Sequence, residues 1–190
     1  MATDWPGNFP NGPEIVAALI GAGADVNRRL TGPHNETPLH WAASSDDVAV
    51  LDALLDAGAD IEARGAVIGG GTPMADATAF GQWNAARRLL ERGAATTMWE
   101  ASALGLLDRV EAYFAADPRT SADDATACLW GACHGGHLDV AAFLVEHGAD
   151  ANCTGRDDLT ALDVAERSEA TDVVEWLRSL GAKSAAELRP

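Results

Sequence analysis

The chain has 190 residues, with 29 acidic side chains against 13 basic ones and a formal net charge of −16. So few Lys and Arg cannot form a large basic stripe, so nucleic acid and anionic membrane surfaces are not expected partners, and the surplus acid reads as a solvated exterior. No run approaches the roughly 18 apolar residues of a membrane span, and the start lacks signal-peptide character. Cys128, Cys133 and Cys153 show no metal-ligand spacing and fit structural thiols in a reducing compartment. A cytoplasmic monomer with no cofactor and no bound metal is expected.

In chain order, residues 1–13 hold Trp5, Phe9 and three prolines, a composition expected to cap one end rather than form a helix. Glu14–Ala22 supplies a single apolar helix, and a projecting loop from Asp25 to Glu36 follows it. That loop carries Arg28, Arg29 and His34, which either meet an anionic ligand or relieve local acidic repulsion. Thr37-Pro38 starts the next helix, with Pro in its first turn, and His40 and Trp41 lie on it. A helix over about Val48–Ala57 comes next, and then a long loop, Ile61–Gly71, ending in three glycines. No GK[ST] follows them, so they are not a phosphate-binding loop. They make a tip free to approach a ligand closely.

Thr72–Gly93 repeats the pattern, and here the endings become regular. IGAGADVN, LDAGADIE, LERGAATT and LVEHGADAN each close an apolar helix on a glycine, as a left-handed C-terminal cap does. Gly23, Gly58 and Gly93 are spaced 35 apart, and Gly148 and Gly181 33 apart. A period of that length indicates stacked units, each with an apolar face it cannot bury alone. Helix starts expected at Thr37, Thr72, Thr96, Ala127 and Thr160 are separated by 35, 24, 31 and 33 residues. The short interval means that one projecting loop is missing.

The segments ETPLHWAAS, GTPMADATAFG and HGGHLDV…LVEHGADAN resemble ankyrin repeats of bacterial type, over roughly Glu14–Ala182. The resemblance implies an all-α solenoid of stacked helix pairs with short β-hairpin fingers. It divides the chain into a cap (1–13), a half repeat (14–35), repeats at 36–71, 72–95, 96–126 and 127–158, and a closing repeat and cap at 159–190. It also implies that His40 bonds between neighbouring repeats, that His137 sits at the usual Gly-His position, and that the concave face binds proteins.

On the inner-helix faces this alignment places Trp41, Asp76, Trp99, Glu100, Trp130 and His134. Indole walls with a few convergent acids suit a pocket, and a missing finger with the long one folded across it would create one. Asp76 and Glu100 then form an acid–base pair in a cofactor-independent enzyme acting on a small apolar molecule. Alternatively they are solvated, or paired with Arg87, Arg88 or Arg109, and Trp99 and Trp130 merely pack. The leading expectation is a binding module whose concave face holds a protein partner through Arg28, Arg29, His34, Trp41, Trp99, Trp130 and His134.

Overall fold

The computed structural model describes residues 11–31, 35–116 and 120–189, and of the twelve α-helices among them all but the first and the last follow the helix-pair pattern read from the sequence. They fall into two compact units, Met1–Ala95 and Thr96–Pro190. Among the described residues no helix is long and apolar enough to cross a membrane.

The first unit contains α1 (Gly12–Gly21), α2 (Pro38–Ser44), α3 (Val48–Asp56), α4 (Pro73–Ala79) and α5 (Trp83–Glu91). Thr37 and Thr72 stand extended before the prolines that open α2 and α4, because the residue before Pro is pushed out of the helical region. Alanines at Ala42, Ala43, Ala77, Ala85 and Ala86 let the helices approach, and Leu39, Leu51, Met74 and Leu89 fill the space between them with no exposure. The reversal between α2 and α3 is made by Asp46 at φ 56, a conformation costly for most side chains. Its carboxylate offsets that cost by accepting from the Ala85 amide and the Asn84 side chain, both at 2.7 Å, at the start of α5. On the outer helices Arg88 and Arg92 meet Asp52 at 2.8 and 2.7 Å. These pairs are part-exposed, so they orient α3 against α5 more than they stabilise it.

The second unit contains α6 (Met98–Ala103), α7 (Leu107–Ala116), α8 (Ala122–Gly135), α9 (Leu138–Glu146), α10 (Ala161–Arg167), α11 (Thr171–Ser179) and α12 (Ala185–Leu188). Leu129, Leu144, Leu162 and Leu177 form its core with Val110, Val140 and Val173. The His137 ring packs where a Cβ on Gly105 or Gly135 would overlap it, which explains both glycines. Asp163 accepts from the amides of Thr160 and Ala185, each at 2.8 Å, and so ties the closing helix α12 to α10.

Three expectations change in detail. The helix expected from Ala127 begins at Ala122, with Ser121 and Asp124 as a reciprocal cap. The interval from Ala116 to Ala122 is correspondingly short. At the chain start, Pro13 lies inside α1, tolerated because a first-turn Pro gives up an amide that has no partner anyway. The fingers close by turns, and among the described residues none forms a strand ladder. Residues 1–10 of the expected cap, and His34, lie outside the described residues.

Candidate functional site

The first two fingers stand side by side because one side chain joins their bases. The Asn27 amide donates to the Gly58 carbonyl at 3.2 Å and accepts from the Asp60 amide at 2.8 Å. Further out, Arg29 Nη1 donates to the carbonyls of Asn35 and Arg64. Gly65, at φ 140, lies so close to the Asn35 carbonyl that a Cβ would collide with it. The second finger then closes on itself, with the amides of Gly65 and Ala66 both donating to the Gly71 carbonyl. Ala63 and Ala66 face inward, whereas Leu30 is 37 % and Val67 40 % exposed. Arg28 and Arg64 are exposed beside them and make no ion pair among the described residues. Trp41, on α2, is half-buried.

Beneath the second finger lie His40, Glu36 and Asp76. His40 Nδ1 accepts from the Thr37 amide at 3.1 Å, so its hydrogen sits on Nε2, 3.4 Å from the Gly71 carbonyl. Burial, opposed by that carbonyl and aided by Arg29, holds its pKa below the usual imidazole value. His40 thus joins the start of α2 to the base of the second finger, a bond inside the segment 36–71 rather than between two of the repeats as divided above. Glu36 is buried as well. Asp76 has no exposure, and neither carboxyl oxygen has a hydrogen-bond partner. Burial first, and then the charge of Glu36, push its pKa up to about 7, while the nearby amides of Ile68 and Val67 pull it down without reaching bonding geometry.

In the second unit the other expected residues do structural work. Glu100 accepts from the Thr97 amide at 2.6 Å while Thr97 Oγ1 accepts from the Glu100 amide, so this acid is half of a capping box. Arg109 donates to Thr96 and Arg88 is held by Asp52, so neither neutralises an inner-face acid. The Trp99 ring covers Gly131 and the Trp130 ring covers Gly155, each where a Cβ would intrude. His134 Nδ1 lies 3.3 Å from the Ser168 hydroxyl. Burial pushes the thiols of Cys128 and Cys133 up to about 11 and about 12, as fits packing groups rather than nucleophiles.

The sequence reading did not include Glu36, Arg64, Leu30 or Val67. Glu36 carried a signal, since it directly precedes the Thr-Pro start and lies at the foot of a finger. The exposure of the other three follows from how the fingers fold.

The sequence family described as ankyrin repeats in three copies matches residues 8–98 and again 97–187. Over 179 residues, 90 % of the chain, it is 34 % identical to an ankyrin repeat and KH domain-containing protein of Caenorhabditis briggsae. Over 171 residues it is 26 % identical to alpha-latrocrustotoxin-Lt1a of Latrodectus tredecimguttatus. A 45-residue stretch is 53 % identical to a palmitoyltransferase of Kluyveromyces lactis. The chain spans only 7 %, 10 % and 6 % of the length of these relatives.

Proposed function

We propose, starting from the fact that this chain belongs to the ankyrin repeat family, that its first unit holds a protein partner through the two finger tips and the adjoining inner-helix face. Ankyrin repeats are in general protein-interaction modules, and what they hold is set by side chains on a fixed scaffold. The observation that carries this reading is the pairing of Arg28 and Arg64, which make no ion pair among the described residues, with exposed Leu30 and Val67 on fingers locked together by Asn27 and Arg29. Preordered backbone lowers the entropy cost of binding, and unpaired guanidiniums beside apolar side chains favour a partner segment that carries carboxylates. Arg29 and Trp41 extend the same surface. Trp99, Trp130 and His134 contribute by holding the second unit in shape.

Acid–base catalysis by Asp76 and Glu100 is not favoured. Glu100 is committed to a helix cap, and Asp76 is shut away from solvent.

The test compares Arg28→Glu combined with Arg64→Glu against Arg167→Glu, an exposed arginine of the second unit, in quantitative affinity capture from the cells that make the protein. Loss of a discrete partner by the finger variant alone is expected, with a steep salt dependence in the wild type. Equal capture by both variants overturns the assignment.

A further inference from the structure

Three carboxylates are buried among the described residues: Glu36, Asp76 and Glu100. Glu100 is satisfied by its cap, whereas Asp76 offers two oxygens to nothing. A buried polar group left in that state is costly, so a folded chain that keeps one has either a use for it or a second arrangement that satisfies it. The charged groups that face Asp76 give the ionised form no counterion. From the first finger come Glu36, which repels it, and Arg29, whose Nη1 is engaged by two carbonyls. From α2 comes His40, held neutral with Nε2 toward Gly71. From the second finger comes Arg64, which is exposed. From α5, Arg88 and Arg92 reach instead to Asp52, Asp56 and Glu91, and Arg87 is exposed.

Among the described residues, the backbone donors that act on Asp76 are the amides of Val67 and Ile68. They precede Gly69 and Gly70, both left-handed at φ 63 and 67, where no Cβ resists a change of the tip. A small backbone shift at this tip therefore converts two near approaches into two hydrogen bonds, and charge-assisted bonds of that kind are among the stronger ones.

We propose that Asp76 is a proton-operated latch for the second finger. As an acid it lies unbonded beneath the tip in the arrangement described above; as a carboxylate it takes the Val67 and Ile68 amides, draws the tip inward and changes how Val67 is presented on the finger surface. Asp76 acts here as a positioning residue, and the latch rests on the proposed binding role only for its effect on a partner. The finger itself is the readout, so the latch and the binding role fail separately.

The experiment is a pH titration of the intact chain from pH 5.5 to 8.5, followed by 1H–15N correlation spectra. The Val67 and Ile68 amide protons are expected to move downfield together with a common midpoint near neutrality, and Asp76→Asn abolishes that movement. The 13C carboxyl resonance of Asp76 in the wild type reports the same midpoint, and it decides the matter if the variant does not fold. Flat amide traces in the wild type, a titration that survives in Asp76→Asn, or an Asp76 carboxyl that titrates in the ordinary carboxylate range each overturn the latch.

Discussion

Replacing Asp76 by Asn removes one ionisation and almost no volume, and the structure fixes the sign of the result. The folded-state pKa is raised to about 7 from an ordinary value of 3.8. Between those two values the folded chain holds a proton that the unfolded chain has released. Stability therefore falls as pH climbs through that window and levels off above it. About three pH units at ~1.4 kcal/mol each give roughly 4 kcal/mol as the upper bound, and any hydrogen bonds the tip supplies to the carboxylate reduce it. Asp76→Asn carries no such penalty, so at pH 8 it exceeds the wild type by up to about 4 kcal/mol and at pH 4.5 by only about 1 kcal/mol. His40, whose pKa is lowered, contributes the opposite slope, losing stability as pH falls below its ordinary value of 6.5. Both proteins carry that slope, so it cancels in the difference. Urea unfolding of both proteins at a series of pH values measures the effect. Two curves that run parallel from pH 4.5 to 8 refute the reasoning.

Other substitutions separate structural from surface roles. Glu100→Ala removes one half of a helix cap and is expected to cost about 1 kcal/mol of stability while leaving partner capture unchanged; calorimetry with the capture assay checks both. Gly65→Ala puts a Cβ against the Asn35 carbonyl at a positive φ, and more than about 1 kcal/mol is expected to be lost. Partner affinity falls with it because the fingers part, whereas a neutral outcome in both denaturation and binding removes the finger-to-finger contact from the account.

Much of the scaffold was legible because its rules are local. Thr37-Pro38 and Thr72-Pro73 announce helix starts through backbone sterics, and the glycines that close the outer helices announce their ends. Ser121 and Asp124 carried an equally local signal. It is obscured because Ala122–Thr126 is too polar to show an apolar stripe, so a pattern read from hydrophobicity begins the helix at Ala127. The inner faces were less legible. A helix start at Thr96 would put Glu100 and Asp76 at one register, but Thr97 caps α6 and shifts them apart by one residue, so one reaches back to its own cap and the other does not. Glu100 has Thr97 three residues earlier to cap, whereas Asp76 lies one residue further from its opening Thr72. Nor does sequence show that the rings of Trp99 and Trp130 find flat ground on Gly131 and Gly155, since those contacts join residues about 25 to 32 positions apart. The burial of Asp76 depends on the second finger lying over it, a tertiary outcome that no spacing encodes.

The claim on which the account turns is that the paired fingers of the first unit are the surface a partner touches. Photo-crosslinking tests it most directly, with benzoylphenylalanine placed singly at Leu30, Val67, Leu138 and Leu180, four exposed leucine or valine sites, in the cells that make the protein. The account predicts a discrete protein adduct from Leu30 and Val67 that disappears when Arg28→Glu and Arg64→Glu are added, with none from Leu138 or Leu180. Adducts confined to the second-unit positions, or finger adducts indifferent to the loss of both arginines, would contradict it.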